Sequence, residues 1–242
     1  RAGTSVKDKK RFASKLLRDN KSVTTVLEKT RGFQGRLRKQ ETKYIAGEKT
    51  KEVLYKENGC IFRFNIDSTY FSPRLSNERK EIAQKIKKGD EVLVMFAGVA
   101  PYLIVIAKNS GAGKVVSVEI NKEANKYAKM NVELNKVKNR VEIIQGDIKK
   151  FAPKLKTKFD VIVMPRPQLK DSFLREAFML AKKSTRVFYY DFCKEDEIDK
   201  VVNKVKTEAS RYKTKIKILK VKKAGEIAPY KYRIRVDFVV IN

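Results

Sequence analysis

From Glu91 onward the hydrophobic positions fall into short continuous runs separated by longer stretches of helical spacing. That is the signature of buried strands alternating with the helices that cover them. The runs predict strands at 92–96, 114–119, 141–145, 159–163 and 185–190, with helices near 101–108, 122–135, 169–182 and 194–209 between most of them. Such an alternation implies an α/β fold with a mostly parallel sheet covered on both faces. Two last strands, 215–221 and 232–241, have only residues 222–231 between them and no helix. They predict an antiparallel hairpin at one edge of a seven-stranded sheet.

Before Glu91 the pattern is looser. Residues 5–20 place Phe12, Leu16 and Leu17 near helical spacing among cations, which predicts a short basic helix. Residues 23–28 are β-branched, and 31–39 form a basic segment around Gly32 and Gly35. Strands at 51–56 and 60–65 flank Glu57-Asn58-Gly59, a good hairpin signal. The segment 68–80 (STYFSPRLSNERK) is polar and aromatic until a helix starts near Ser76 and stops at Lys87-Lys88-Gly89. Residues 1–70 therefore read as a small α+β module, 71–89 as a connecting motif with its helix, and 90–242 as the main α/β domain.

Within that domain the stretch Glu91–Asn121 is a strand, a small-residue turn, a helix and a second strand ending on Glu119. Open α/β sheets bind ligands outside the carboxyl ends of their strands, and an acid at such an end can hold the two ribose hydroxyls of a nucleoside cofactor. Four strand ends carry candidates. Gly98 and Ala100 lie in the turn Ala97-Gly98-Val99-Ala100-Pro101, Glu119 follows the second strand, Gly146-Asp147 follows the third, and Met164-Pro165-Arg166-Pro167 follows the fourth.

Charge adds a partner to this picture. The 57 Lys and Arg against 28 Asp and Glu give a formal charge of +29, a field that favours polyanions, chiefly nucleic acid. There is no histidine, which excludes imidazole triads and the usual His-containing metal sites. Cys60 and Cys193 are too few for a structural zinc site and read as free, buried thiols. No apolar run approaches the roughly 20 residues needed to span a bilayer, and no signal-peptide pattern opens the chain. A soluble, cytoplasmic monomer without metal is expected. The chain opens at Arg1 rather than methionine, which leaves room for residues upstream.

The motifs YIAGE (44–48), KENGCIFRFNI (56–66), YFSPRLSNERK (70–80), MFAGVAPY (95–102) and the stretch 188–192 carry a resemblance. Together with the terminal hairpin they resemble the class I S-adenosylmethionine-dependent methyltransferases, and more closely the archaeal and eukaryotic type of tRNA (guanine-37, nitrogen 1) methyltransferase. The resemblance implies a Rossmann-like domain using S-adenosylmethionine, with residues 1–70 binding and positioning RNA, and the anticodon region of tRNA as partner. It puts the general base on Glu78, the cation facing the 6-oxo group on Arg38 with Arg36 a close rival, and on Arg74 a role in holding tRNA or orienting Glu78. Phe96, Ala97, Gly98, Val99, Glu119, Ile120, Asp147, Ile148 and Met164 would bind the cofactor. Arg36, Arg79, Pro165 and Arg166 would face the substrate.

The chain departs from the family at three positions. Val94 stands where an aspartate is usual, Ala100 where glycine is expected, and Met164-Pro165-Arg166-Pro167 where the turn usually reads Asn-Leu-Pro. The first two bear on cofactor binding and the third on the acceptor base. A wyosine intermediate is a compatible second acceptor. Two alternatives stay open: transfer of a 3-amino-3-carboxypropyl group, as in the wybutosine pathway, and a tRNA-binding protein with a decayed cofactor pocket.

Overall fold

A computed structural model describes residues 4–166 and 168–242; Pro167, the last residue of the turn singled out above, lies outside the described residues. Helix α1 (Val6–Asp19) starts at Ser5, whose hydroxyl accepts the Asp8 N–H at 3.1 Å. Strands β1 (Thr25–Gln34) and β2 (Lys39–Gly47) pair as an antiparallel hairpin of their own. A second hairpin, β3 (Glu52–Glu57) and β4 (Cys60–Asn65), turns at Asn58 and Gly59, with φ of 49° and 70°. Both turn residues are left-handed, as the tightest hairpins require, and this is why Asn-Gly announced the turn. Residues Pro73–Leu75 then form a single 3-10 turn that leads into α2 (Ser76–Lys85).

The main sheet follows. Its elements are β5 (Glu91–Met95), α3 (Pro101–Asn109), β6 (Lys114–Glu119), α4 (Lys122–Leu134), β7 (Val141–Gln145), α5 (Ile148–Phe151), β8 (Phe159–Met164), α6 (Leu174–Leu180), β9 (Ala181–Lys194), α7 (Ile198–Arg211), β10 (Ile216–Ala228) and β11 (Lys231–Val240). Strand order is β10-β11-β9-β8-β5-β6-β7, parallel from β9 to β7, with β11 antiparallel to both neighbours. Because side chains alternate across a strand, β5 sends Val92 and Val94 into one core and Leu93 and Met95 into the other. Helices α2, α3 and α4 cover the first face, and α6 and α7 the second.

The hairpin β3–β4 is built into the first core. Phe62 and Phe64 pack in the same cluster as Val92 and Leu103. Its edge is paired by two asparagines one helical turn apart, one on α4 and one capping its carboxyl end. Asn131 bonds Arg63 N–H (2.7 Å) and C=O (3.1 Å), and Asn135 bonds Ile61 N–H (2.9 Å) and C=O (2.6 Å). The side-chain amides thus replace a neighbouring strand and satisfy the exposed edge.

Three differences from the sequence pattern have physical causes. The β1–β2 hairpin replaces the expected basic segment, because it is mostly solvent-exposed and carries little hydrophobic alternation to read. The helix expected over 169–182 is confined to Leu174–Leu180, since Phe173 adopts a left-handed φ of 58° that cannot be helical. Strand β9 is correspondingly longer than 185–190 and runs from Ala181 to Lys194. Both cysteines are free and buried. Among the described residues no helix is long and apolar enough to cross a membrane.

Candidate active site

The loops after β5, β6, β7 and β8 leave the same edge of the sheet and wall one cleft of about 920 Å³, its open mouth included. Strand order reverses between β5 and β8, which is where an open α/β sheet forms a crevice. After β5 the backbone takes left-handed values at Phe96, Gly98 and Ala100 (φ of 60°, 57° and 68°). This turn aims the Gly98 N–H at Glu119 Oε2, 2.8 Å away, while Oε1 accepts the Asn121 N–H at 2.7 Å. Burial pushes the Glu119 carboxyl above its ordinary value, although the N–H groups of Asn121, Gly98 and Ile120 and the charge of Arg36 act against it. Each oxygen still has lone-pair capacity for hydroxyl donors. At the next strand end Asp147 caps α5 by accepting the Lys149 N–H at 3.0 Å, and its other oxygen takes Arg36 at 2.8 Å. Gly146 has a φ of 148° and no room for a side chain, since an added Cβ would lie 2.3 Å from the Phe151 ring. Phe96, Val118, Ile120 and Ile148 supply apolar walls. An anchored acid, an apolar slot and a glycine turn fit a nucleoside cofactor.

The rest of the lining includes a cationic and aromatic group. Arg38, in the β1–β2 turn, has a φ of 54° and lays its guanidinium 5.3 Å from the Phe33 ring and 4.9 Å from that of Tyr70. Its Nε is buried without a hydrogen-bond partner. Arg233 of β11 approaches the Tyr70 hydroxyl at 3.5 Å and the Phe192 ring at 5.1 Å. Burial raises the Tyr70 phenol, but Arg233 and Arg38 outweigh that and bring it below its ordinary value. The turn reaches the main domain through the Leu37 carbonyl as well, which accepts from Asn121 Nδ2 at 3.1 Å.

A family model described as the TRM5/TYW2 methyltransferase domain matches residues 53–219. The chain belongs to this family. It is 33% identical to the tRNA (guanine(37)-N(1))/4-demethylwyosine(37)-methyltransferase Taw22 of Nanoarchaeum equitans, over 98% of this chain and 95% of that one. It also resembles aTrm5, solved in complex with tRNALeu, with a TM-score of 0.84 and 27% identity over all of this chain and 68% of that one. The TYW2 of M. jannaschii, solved in complex with AdoMet, matches with a TM-score of 0.73 and 26% identity, over 83% of this chain and 90% of that one. The resemblance drawn from the motifs holds, as does the methyltransferase fold.

Within this TRM5/TYW2 fold the residues singled out from sequence separate into three groups. Arg36, Arg38, Phe96, Gly98, Glu119, Ile120, Asp147, Ile148, Pro165 and Arg166 line the cleft. Ala97, Val99 and Met164 are instead buried behind its wall, where they support the turns. Arg74 is exposed on the SPRL segment and does not line the cleft. Arg79 is buried, donates to both oxygens of Glu57 and to the Ser72 carbonyl (3.0 Å), and so ties α2 to the β3–β4 hairpin. Arg166 borders the cleft with its guanidinium turned inward, onto Asp191 (2.6 Å) and the carbonyls of Leu169 (2.5 Å) and Asp171 (2.6 Å). Neither arginine's charge is free for a substrate phosphate.

Glu78 lies outside the cleft lining and is only 5% exposed. Its Oε2 accepts from Arg235 Nη1 (2.6 Å) and the Tyr190 hydroxyl (3.0 Å), and Oε1 accepts from Lys222. Sequence reasoning missed Tyr70, Tyr102, Asn121, Tyr190 and Arg233, all of which line the cleft. Arg233 sits in a hairpin whose spacing signalled only an edge strand. Tyr70 and Tyr102 lie within the motifs that carried the resemblance, and their aromatic character beside SPRL and after the glycine turn was the available signal. Val94, in place of the family's usual aspartate, points into the first core and does not reach the cleft.

Proposed function

We propose that this chain transfers a methyl group from S-adenosylmethionine to ring nitrogen 1 of guanosine 37 in tRNA. The observation that carries the reading is a single cleft that joins the Gly98–Glu119 turn to Arg38, Tyr70 and Arg233. When bound, S-adenosylmethionine supplies an electrophilic methyl on a sulfonium. The residues that would hold it are Glu119 at the ribose, Phe96, Ile120 and Ile148 around the adenine, and Asp147 at its amino group.

The other residues deal with the acceptor. A guanine ring nitrogen is a poor nucleophile until its proton leaves, and as it leaves negative charge grows on the 6-oxo group. Arg38 carries a delocalised cation whose Nε is without a protein partner, and it is positioned to stabilise that charge more in the transition state than in the ground state. The proton is assigned to Glu78. The chain's +29 charge favours the polyanionic substrate.

Methyl transfer to tRNA transcripts carrying guanosine or adenosine at position 37 tests the reading. Labelling of the guanosine transcript alone is expected, and equal labelling of both would overturn it. The similarity to Taw22, which acts on 4-demethylwyosine as well, favours a second acceptor, tested by offering tRNA that carries that tricyclic base. Mass spectrometry of the product nucleoside separates a methyl increment from a 3-amino-3-carboxypropyl one.

A further inference from the structure

The proposed reaction needs an exit for the proton on the ring nitrogen, and the two carboxylates that line the cleft among the described residues are already engaged. Glu119 is fixed by the N–H groups of Gly98 and Asn121 at the end of β6, and Asp147 by Arg36 and the Lys149 N–H at the end of β7. The cleft lining also includes a pair of tyrosines, Tyr102 from α3 and Tyr190 from β9.

Their hydroxyls are connected in one direction. Tyr102 Oη donates to Tyr190 Oη at 3.2 Å, and Tyr190 Oη donates to Glu78 Oε2 at 3.0 Å. The rings meet edge to face with centroids 6.2 Å apart. Both tyrosines line the cleft, Tyr102 is the end of the hydroxyl chain away from Glu78, and exposures of 3% and 0% keep bulk water from the path. The 3.2 Å link is loose, as catalytic hydrogen bonds commonly are before the substrate is bound.

Resting on the reaction proposed above, we infer that Tyr102 and Tyr190 form a two-hydroxyl proton wire that carries the ring-nitrogen proton from the cleft to Glu78. The proton on nitrogen 1 passes to Tyr102 Oη, the Tyr102 proton to Tyr190 Oη, and the Tyr190 proton to Glu78 Oε2. Both tyrosines end neutral, and the nitrogen keeps the electron pair that takes the methyl. Burial raises both phenols above their ordinary values, so neither rests as a phenolate and each must release its proton as it receives another. Around the wire stand Arg79 on α2, Lys222 on β10, and Arg233 and Arg235 on β11. Lys222 holds Glu78 Oε1, and Arg235 shares Oε2 with the Tyr190 hydroxyl.

Single-turnover methylation of a guanosine-37 transcript tests the wire, with Kd for cofactor and tRNA measured in parallel. An inactive wild type would sink the proposed reaction itself, separately from the wire. With an active wild type, Tyr190→Phe is expected to lower the rate about 10-fold or more with both Kd values unchanged, and Tyr102→Phe to lower it in the same way. Adding Glu78→Gln to Tyr190→Phe should cost no more than Glu78→Gln alone, because both interrupt one path. The rate of Tyr190→Phe should climb toward that of the wild type as pH rises and the ring nitrogen loses its proton to solvent unaided. A packing defect would not recover in that way. Wild-type rates in both tyrosine variants, or multiplicative losses in the double variant, would overturn the wire. Should Tyr190→Phe fail to fold, Tyr102→Phe decides, since it leaves every hydrogen bond to Glu78 in place.

Discussion

Arg36 and Asp147, 111 residues apart, form an ion pair of 2.8 Å across the mouth of the cleft. It links the turn of the β1–β2 hairpin to the start of α5, so the basic amino-terminal hairpin closes over the edge where the strands end. The arginine side chain is 46% exposed, and an exposed pair of this kind contributes about 0–1 kcal/mol. Arg36→Ala is therefore expected to lower the unfolding free energy by less than about 1 kcal/mol in a urea titration. A loss above about 2 kcal/mol would mean that docking of the hairpin depends on this pair.

Arg79 behaves in the opposite way. Its guanidinium and the Glu57 carboxylate are 1% and 2% exposed, so removing either partner strands a buried charge. Arg79→Leu should cost about 3–5 kcal/mol, and the double variant Arg79→Leu/Glu57→Leu should recover most of it. Thermal unfolding of the three variants checks this. A specific loss of tRNA affinity at unchanged stability would restore Arg79 to the substrate.

Glu81 gives the acid limb of the stability curve its shape. Partial burial raises its carboxyl, but hydrogen bonds from Arg235 and Lys222 and their charges outweigh that and bring it from 4.5 down to about 2. A folded value below the unfolded one means that its stabilisation is present above about 4.5 and is lost as pH falls toward about 2. Glu81→Gln should flatten the fall in stability over that window. Identical acid limbs in both proteins would remove Glu81 from it.

Ala100 holds a left-handed backbone with a φ of 68° at the start of α3. That conformation costs a residue with a Cβ about 1–2 kcal/mol, against about 0.4–1 kcal/mol gained from a stiffer unfolded chain than glycine would give. Ala100→Gly is expected to stabilise the protein by about 0.5–1 kcal/mol, read as a higher urea midpoint with unchanged slope. A lower midpoint would show that the Ala100 methyl packs more usefully than its backbone is strained.

The strands of the main sheet were legible because burial on both faces writes them as apolar runs, such as Val92–Met95 and Val161–Met164. Asn58-Gly59 was legible because its turn demands two left-handed residues. The β1–β2 hairpin was not, because an exposed ribbon imposes no hydrophobic period. At the strand ends, residue type and position were enough to place Glu119 and Asp147 on the cleft wall.

What residue type could not convey is whether a charge is free. Arg36, Arg38, Arg79 and Arg166 look alike in sequence. Among the described residues packing gives Arg38 no carboxylate, sets Arg36 across the cleft mouth, and seals Arg79 and Arg166 onto buried carboxylates, although Nε of both Arg38 and Arg166 lacks a partner. The sequence by itself determined the succession of strands in the main sheet, the acid at the end of β6 and the motif that contains Glu78, since these follow from local pattern. Tertiary structure alone decided that Glu78 sits behind Tyr190 and that Arg233 meets Tyr70, because contacts between residues more than a hundred positions apart depend on how the whole sheet closes.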